Sequence, residues 1–191
     1  MITKMYVVKY DDIEVSAETR QLRKEIIDEV MPPLSQQYGF SDDPRTAGKV
    51  HLSLLKLDYV LTALSDDLSG KTILDLGCGY NPSEEEKSKP SYDRIFEPWL
   101  CRALHHLNVK VIGIDLGDLD GELFEHYQLD LSHQDLPRTL QDNPVDLAHS
   151  YQMFVSPETS PSTGKSAALK RRLIPQLEQV VKEEGSFIYF D

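Results

Sequence analysis

Cysteine is scarce in this chain. Among its 191 residues only Cys78 and Cys101 occur. Two thiols build neither a disulfide framework nor a zinc site by themselves, so a reducing, cytoplasmic setting is the expectation. Long hydrophobic runs are missing too. No stretch approaches the roughly 18 apolar residues of a helical membrane span. The opening residues are cut by Lys4 and Lys9 and do not read as a signal peptide. Basic charge is also short: 20 Lys and Arg stand against 32 Asp and Glu, a net charge of −12. The deficit falls on both sides of residue 70, so neither part carries the basic footprint of a nucleic-acid binder. Lys170, Arg171 and Arg172 read as a solvated helix face. Nucleic acid and membrane are therefore not expected partners.

What is present is an ordinary globular balance, 40% hydrophobic and 27% charged, which argues against wholesale disorder. Against a prior of roughly 150 residues per domain, the length suggests one domain with an appendage. The chain changes character near residue 70. Residues 1–69 read as a strand and a helical extension, and residues 70–191 as a core of alternating strands and helices. The latter pattern belongs to a parallel α/β sheet.

Met1–Tyr10 is β-prone. Ser16 caps a helix in which Leu22, Ile26 and Val30 recur every four residues, and Pro32-Pro33 is expected to stop it. Val50, Leu54, Leu57, Leu61 and Leu64 form one apolar stripe on a predicted helix over 47–66. Thr72–Leu76 is a short buried strand that runs into Gly77-Cys78-Gly79. A polar stretch, Tyr80–Tyr92, follows, readable as a lid or as an acidic loop. Asp93–Leu107 reads as a helix, with Pro98 as a kink or a new start. Further strands are predicted at Val109–Ile114, ending at Asp115; at Phe124–Leu131, with Asp130 near its end; at Val145–His149; and at Ser186–Phe190. A helix over Lys165–Glu184 is expected to stop at Gly185.

Three acids, Asp75, Asp115 and Asp130, thus fall at the ends of successive strands. In an open parallel sheet, ligands bind at the carboxyl ends of strands beside the switch point. Glycines there let the backbone turn tightly and approach a ligand. An acid ending the second strand can accept hydrogen bonds from two ribose hydroxyls, and one ending the third can meet an adenine amino group. The pattern describes an adenosine-shaped site.

Thr72–Pro82 (TILDLGCGYNP) resembles the first motif of the class I S-adenosylmethionine-dependent methyltransferases. Val111–Asp115 is similar to their second-strand motif, Gln128–Leu131 with Leu136-Pro137 to the third, and Val145–Ser150 to the fourth. Leu177–Gly185 with Ser186–Phe190 resembles the late helix, glycine turn and fifth strand. The resemblance spans residues 70–191. It implies a Rossmann-like, mostly parallel sheet flanked by helices, and S-adenosyl-L-methionine as cofactor. It also implies roles. Asp75 would orient the glycine loop near the methionine amino group, and Gly77, Cys78 and Gly79 would pass under the methionine part. Asp115 would hold the ribose, with Leu116 beside the adenine. Asp130 and the backbone of Leu131 would take the adenine amino group. Ser150 and Tyr151 would line the methyl-transfer side. Asn81 replaces the loop's third glycine, a substitution that tolerates a left-handed backbone.

The fourth-strand segment, His149-Ser150-Tyr151-Gln152-Met153-Phe154, lacks the Asn/Asp-Pro-Pro-aromatic motif of enzymes that methylate base amino groups. With the acidic charge, this favours a small-molecule acceptor, a protein side chain coming second, and residues 1–69 as substrate cover. His149 is the one histidine at a strand end; the others show no metal-ligand spacing. Trp99 and Tyr59 face either substrate or core, and Cys101 reads as helix core. The core ends short of the family's closing helix and hairpin. Phe187–Phe190 then either runs on into a segment missing from this sequence or needs a cover: the N-terminal strand folding back, or a second copy in a homodimer through the last strand. Two other functions are open, a catalytically inactive binding or regulatory protein on the same fold and a nicotinamide-dependent oxidoreductase. The latter requires G-x-G-x-x-G, and Pro82 occupies its last position.

Overall fold

A computed structural model of the chain describes residues 5–151, 153–154 and 164–190. Its strands are β1 (Tyr6–Lys9), β2 (Thr72–Leu76), β3 (Lys110–Asp115), β4 (Glu125–Gln128), β5 (Val145–Ser150) and β6 (Val181–Tyr189). Its helices are α1 (Ala17–Tyr38), α2 (Pro44–Leu54), α3 (Leu57–Ala63), α4 (Glu84–Lys87), α5 (Trp99–His106), α6 (Thr139–Asp142) and α7 (Lys165–Val180). The strands form one sheet in the order β1-β6-β5-β2-β3-β4, every pairing parallel. The fold is α/β and Rossmann-like. The chain runs outward from β2 through β3 to β4, then returns to β5 on the other side of β2. The switch point therefore lies between β2 and β5.

Alternation along the strands divides the core. Ile73, Val111, Leu147 and Ile188 face one side, where α1, α2, α3 and α5 bury Val30, Val50, Leu57, Leu61 and Leu104 against them. Leu74, Leu76, Ile112, Ile114, Ala148 and Phe187 face the other, against Leu140 of α6 and Leu169, Leu173 and Leu177 of α7. Both faces are covered, which is why the central strands read as nearly continuous apolar runs.

β1 pairs with β6 from Tyr6↔Ser186 to Lys9↔Tyr189. The N-terminal strand thus covers the edge of the last strand. Among the described residues no helix is long and apolar enough to cross a membrane.

Several boundaries differ from expectation. α1 begins after Ser16, whose hydroxyl accepts the Thr19 N–H, but it runs through Pro32 and Pro33 to a left-handed cap at Gly39. The prolines deprive the Asp28 and Glu29 carbonyls of donors. Both residues are exposed, so water serves them, while Leu34 anchors the final turns in the core. The 47–66 stripe is split into α2 and α3. The Leu55 and Lys56 N–H groups bond three residues back, to Leu52 and Ser53, and the tighter turn breaks the helix without dispersing its apolar stripe. Pro98 is a new start, the N-cap of α5. The Tyr80–Tyr92 stretch is structured, with a capping box at α4 and a 3-10 turn over Pro90–Arg94. β4 ends at Gln128, so Asp130 lies beyond it: its carboxylate captures the Ser132 N–H and closes a turn. α7 ends at Val180, and β6 starts at once. Gly185 sits inside β6 at an irregularity in the pairing with β5, where a Cβ would lie 2.8 Å from the Asp146 carbonyl.

Candidate functional site

Beyond β2 the chain turns through Gly77 (φ 70°) and Gly79 (φ 101°), backbone that side chains rarely adopt. Asp115, ending β3, holds this turn. One carboxylate oxygen accepts the Gly79 N–H and the other the Gly117 N–H, each at 2.9 Å. The turns after β2 and β3 are thereby joined through one side chain. Burial pushes the Asp115 carboxyl up, and the backbone N–H bonds from Gly117 and Gly79 offset part of that rise. Beside it Leu116 is 61% exposed, an apolar surface at a strand end. The space over Gly79 belongs to the chain itself: a Cβ there would lie 2.6 Å from the Phe96 carbonyl oxygen. Tyr80 packs against Gly117 in the same way. Asn81 does not take a left-handed backbone. It works through hydrogen bonds, its N–H to Asp118, its amide to Asp120 and its side-chain oxygen from Arg102.

Asp75 and His149 are neighbours in the β2–β5 register and face the same side of the sheet. His149 Nδ1 lies 2.6 Å from Asp75 Oδ1. An ionised carboxylate only accepts, so Nδ1 carries the proton, and Nε2 is left to accept from the Tyr10 hydroxyl. The Cys101 thiol reaches the other Asp75 oxygen. Burial raises the Asp75 carboxyl, but His149, with Lys56 and Cys101, more than offsets it, and the group is held below its ordinary range. Both oxygens of Asp75 are therefore committed to positioning. His149 has both ring nitrogens engaged and is likewise a positioning residue. Burial also raises the Cys78 and Cys101 thiols, so neither is a ready thiolate.

A cavity of about 440 Å³ opens beside this chain of contacts, at the carboxyl ends of β5 and β6. Its lining includes Tyr10, Lys56, Tyr59, Phe96, Tyr151 and Phe190. Tyr10 stacks on Tyr59 with centroids 4.0 Å apart, and Tyr151 lies against both Tyr10 and Phe190. Phe96 and Glu97 both line the cavity and cover Gly79, so one segment separates the glycine turn from the cavity.

The structure brings Gly77, Cys78, Gly79, Asn81 and Asp115 together, with Leu116 at the rim. Asp130 is partly exposed and engaged with Ser132, and Leu131 is buried under α7. Ser150 is fully buried, and its hydroxyl has no partner among the described residues. Tyr151 alone of the expected site residues lines the cavity. Trp99 is core and cavity wall at once, as is Tyr59 in part. Gln152 lies outside the described residues. Tyr10 and Lys56 were not singled out by sequence: one follows a short strand and the other sits inside a helical stripe, and neither carries a local motif. Among the described residues no group of His, Cys, Asp or Glu converges on a metal site. No family model matches the chain, and no curated protein matches it.

Proposed function

We propose that this protein is an S-adenosylmethionine-dependent methyltransferase acting on a small molecule. One observation carries the reading: Asp115 joins the glycine turn after β2 to the end of β3, next to the switch point where an α/β sheet takes its ligands. The donor set fits a nucleoside. Each Asp115 oxygen keeps lone-pair capacity beyond its one backbone bond, and exposed Leu116 offers an apolar face beside it. In this reading Asp115 holds the ribose hydroxyls, Leu116 packs on the adenine, and Asp130 and the backbone of Leu131 meet the adenine amino group. In the same reading Tyr151, which lines the cavity, and the buried Ser150 hydroxyl, unpartnered among the described residues, belong to the methyl-transfer side.

When bound, the cofactor supplies a methyl group on a sulfonium, already an excellent leaving group. The protein's part is then to align an acceptor and exclude water. In this reading the aromatic walls of the cavity align the acceptor. The Asp75–His149–Tyr10 chain fixes the strand ends and the N-terminal segment that frame it.

A second reading, a binding protein on the same scaffold without turnover, is favoured by the backbone of Phe96 and Glu97 over Gly79. Calorimetric titration with S-adenosylhomocysteine, with NAD as control, tests both. Saturable binding that Asp115→Ala abolishes is the expected result. Absence of binding to the folded protein removes the methyltransferase reading, and binding of NAD instead replaces it. Cofactor binding without methyl transfer to any acceptor in a panel of small molecules favours the second reading.

A further inference from the structure

The charges around the cavity are nearly all paired, with one cation left over. Lys49 donates to the Tyr92 carbonyl at 2.7 Å and lies 3.8 Å from Glu97. Glu97 also holds Arg102 and the Tyr92 hydroxyl. Asp93 is bound by Arg45, and Asp11 is exposed to water. The Lys56 ammonium has neither a hydrogen bond nor an ion pair among the described residues. Its one side-chain contact of note is the Tyr151 ring, 4.6 Å to the centroid. The Asp75 carboxylate, whose field Lys56 feels, is committed to His149 and Cys101. In a chain with 32 acidic residues, this cation is not unpaired for want of carboxylates. A partly buried cation in a cavity wall, with no carboxylate on it among the described residues, is a group to which a ligand can supply the counter-charge.

The walls describe the rest of that ligand. Tyr59, Tyr151 and Phe190 present flat apolar surfaces, with buried Tyr10 packed behind them. Leu52 and Phe96, 66% and 46% exposed, also line the cavity and leave apolar surface for a guest to cover. The volume of about 440 Å³ suits one small organic molecule.

We propose that the cavity binds an aromatic carboxylate, with Lys56 holding the carboxylate and the ring lying against Tyr59, Tyr151 and Phe190. As the class of methyl acceptor, this rests on the methyltransferase reading; as a binding site it stands on the cavity alone. A carboxylate has two possible sources here, a free arene acid or the methionine end of the cofactor, and the geometry of flat walls points to the former.

The test is titration of the full chain with 2-naphthoate, followed by fluorescence, beside its neutral counterpart 2-naphthamide. The acid is expected to saturate one site and the amide to bind about tenfold more weakly or worse, the scale of one lost charge-assisted bond. Lys56→Met should weaken the acid by a similar factor and leave the amide unchanged, while Lys56→Arg retains acid binding and reports that the site folds. Equal affinity for acid and amide, no binding of either, or an acid affinity indifferent to Lys56→Met overturns the proposal. So does a Lys56→Met variant that loses S-adenosylhomocysteine but not naphthoate, since the carboxylate would then be the cofactor's. Asp115→Ala separates the readings: it should abolish S-adenosylhomocysteine binding and leave naphthoate untouched.

Discussion

His149 Nδ1 stands 2.6 Å from Asp75 Oδ1 across the β2–β5 pair, both side chains buried at the switch point of the sheet. Replacing one member leaves the other buried without its partner. Asp75→Asn turns an amide donor toward either the Nδ1 proton or the Cys101 thiol, and is expected to cost about 3–5 kcal/mol in denaturant unfolding. The pH dependence follows from the depressed Asp75 carboxyl. An unfolded aspartate titrates near pH ~3.9. The stability that Asp75 contributes is therefore present above that value and lost as pH falls through the lower folded value. The gap between wild type and Asp75→Asn should narrow as pH falls below roughly pH 4.

Tyr10 links the N-terminal segment to this pair through His149 Nε2. Tyr10→Phe keeps the stacking on Tyr59 and removes only the hydroxyl. A loss of about 1–2 kcal/mol is expected, with the oligomeric state unchanged by light scattering. Deleting residues 1–10 also removes β1 and bares the edge of β6. That variant should self-associate, and one that stays soluble at unchanged size would show that β1 does not protect the edge.

Gly79 combines φ 101° with a Cβ position 2.6 Å from the Phe96 carbonyl oxygen. Gly79→Ala must therefore move the 96–97 segment as well as strain the turn. A loss of at least about 2 kcal/mol in thermal or denaturant unfolding is expected. S-adenosylhomocysteine affinity should fall with it, because the Gly79 N–H bond to Asp115 is part of the same turn.

Lys56 is held below its ordinary lysine range, burial being the main cause and Asp75 the main opposing one. Removing the charge in Lys56→Met should raise stability by about 0.5–2 kcal/mol while weakening carboxylate binding about tenfold, the signature of a residue kept for function. A Lys56→Met variant less stable than wild type in denaturant titration contradicts this.

Arg102 sits buried between Glu97 and Glu122 and over the rings of Tyr38 and Trp99. Arg102→Met takes the guanidinium from two buried carboxylates, leaving Glu97 with Lys49 and Tyr92 and Glu122 with Tyr38, and should cost about 3–5 kcal/mol. Arg102→Lys should recover only part of this, since a single ammonium cannot reproduce the forked contacts to Glu97, Glu122 and Asn81. Urea midpoints of the two variants check the ranking.

Much of this architecture is written locally. The β-branched runs of β2 and β3, the glycines after β2, the Ser16 cap and the strand-end position of Asp115 follow from periodicity and backbone preference over a few residues. These suffice for a parallel α/β sheet with a glycine turn beside an acid. Other features depend on partners far away in the chain. Tyr10 meets His149 across 139 residues, and Asp75 meets it across 74, contacts that only strand order and register create. Helix α1 passes its two prolines because the core holds Leu34 beyond them, and β4 stops early because Asp130 finds a nearer donor in Ser132. Lys56 lies within the 47–66 stretch and carries no local motif. Folding places it in a cavity wall where Asp75, Asp93 and Glu97 are already engaged by other groups. Local preference is a matter of a few dihedral angles and is legible in sequence. Which groups remain unpaired after packing is a property of all the contacts at once, and it is settled only when the chain has closed.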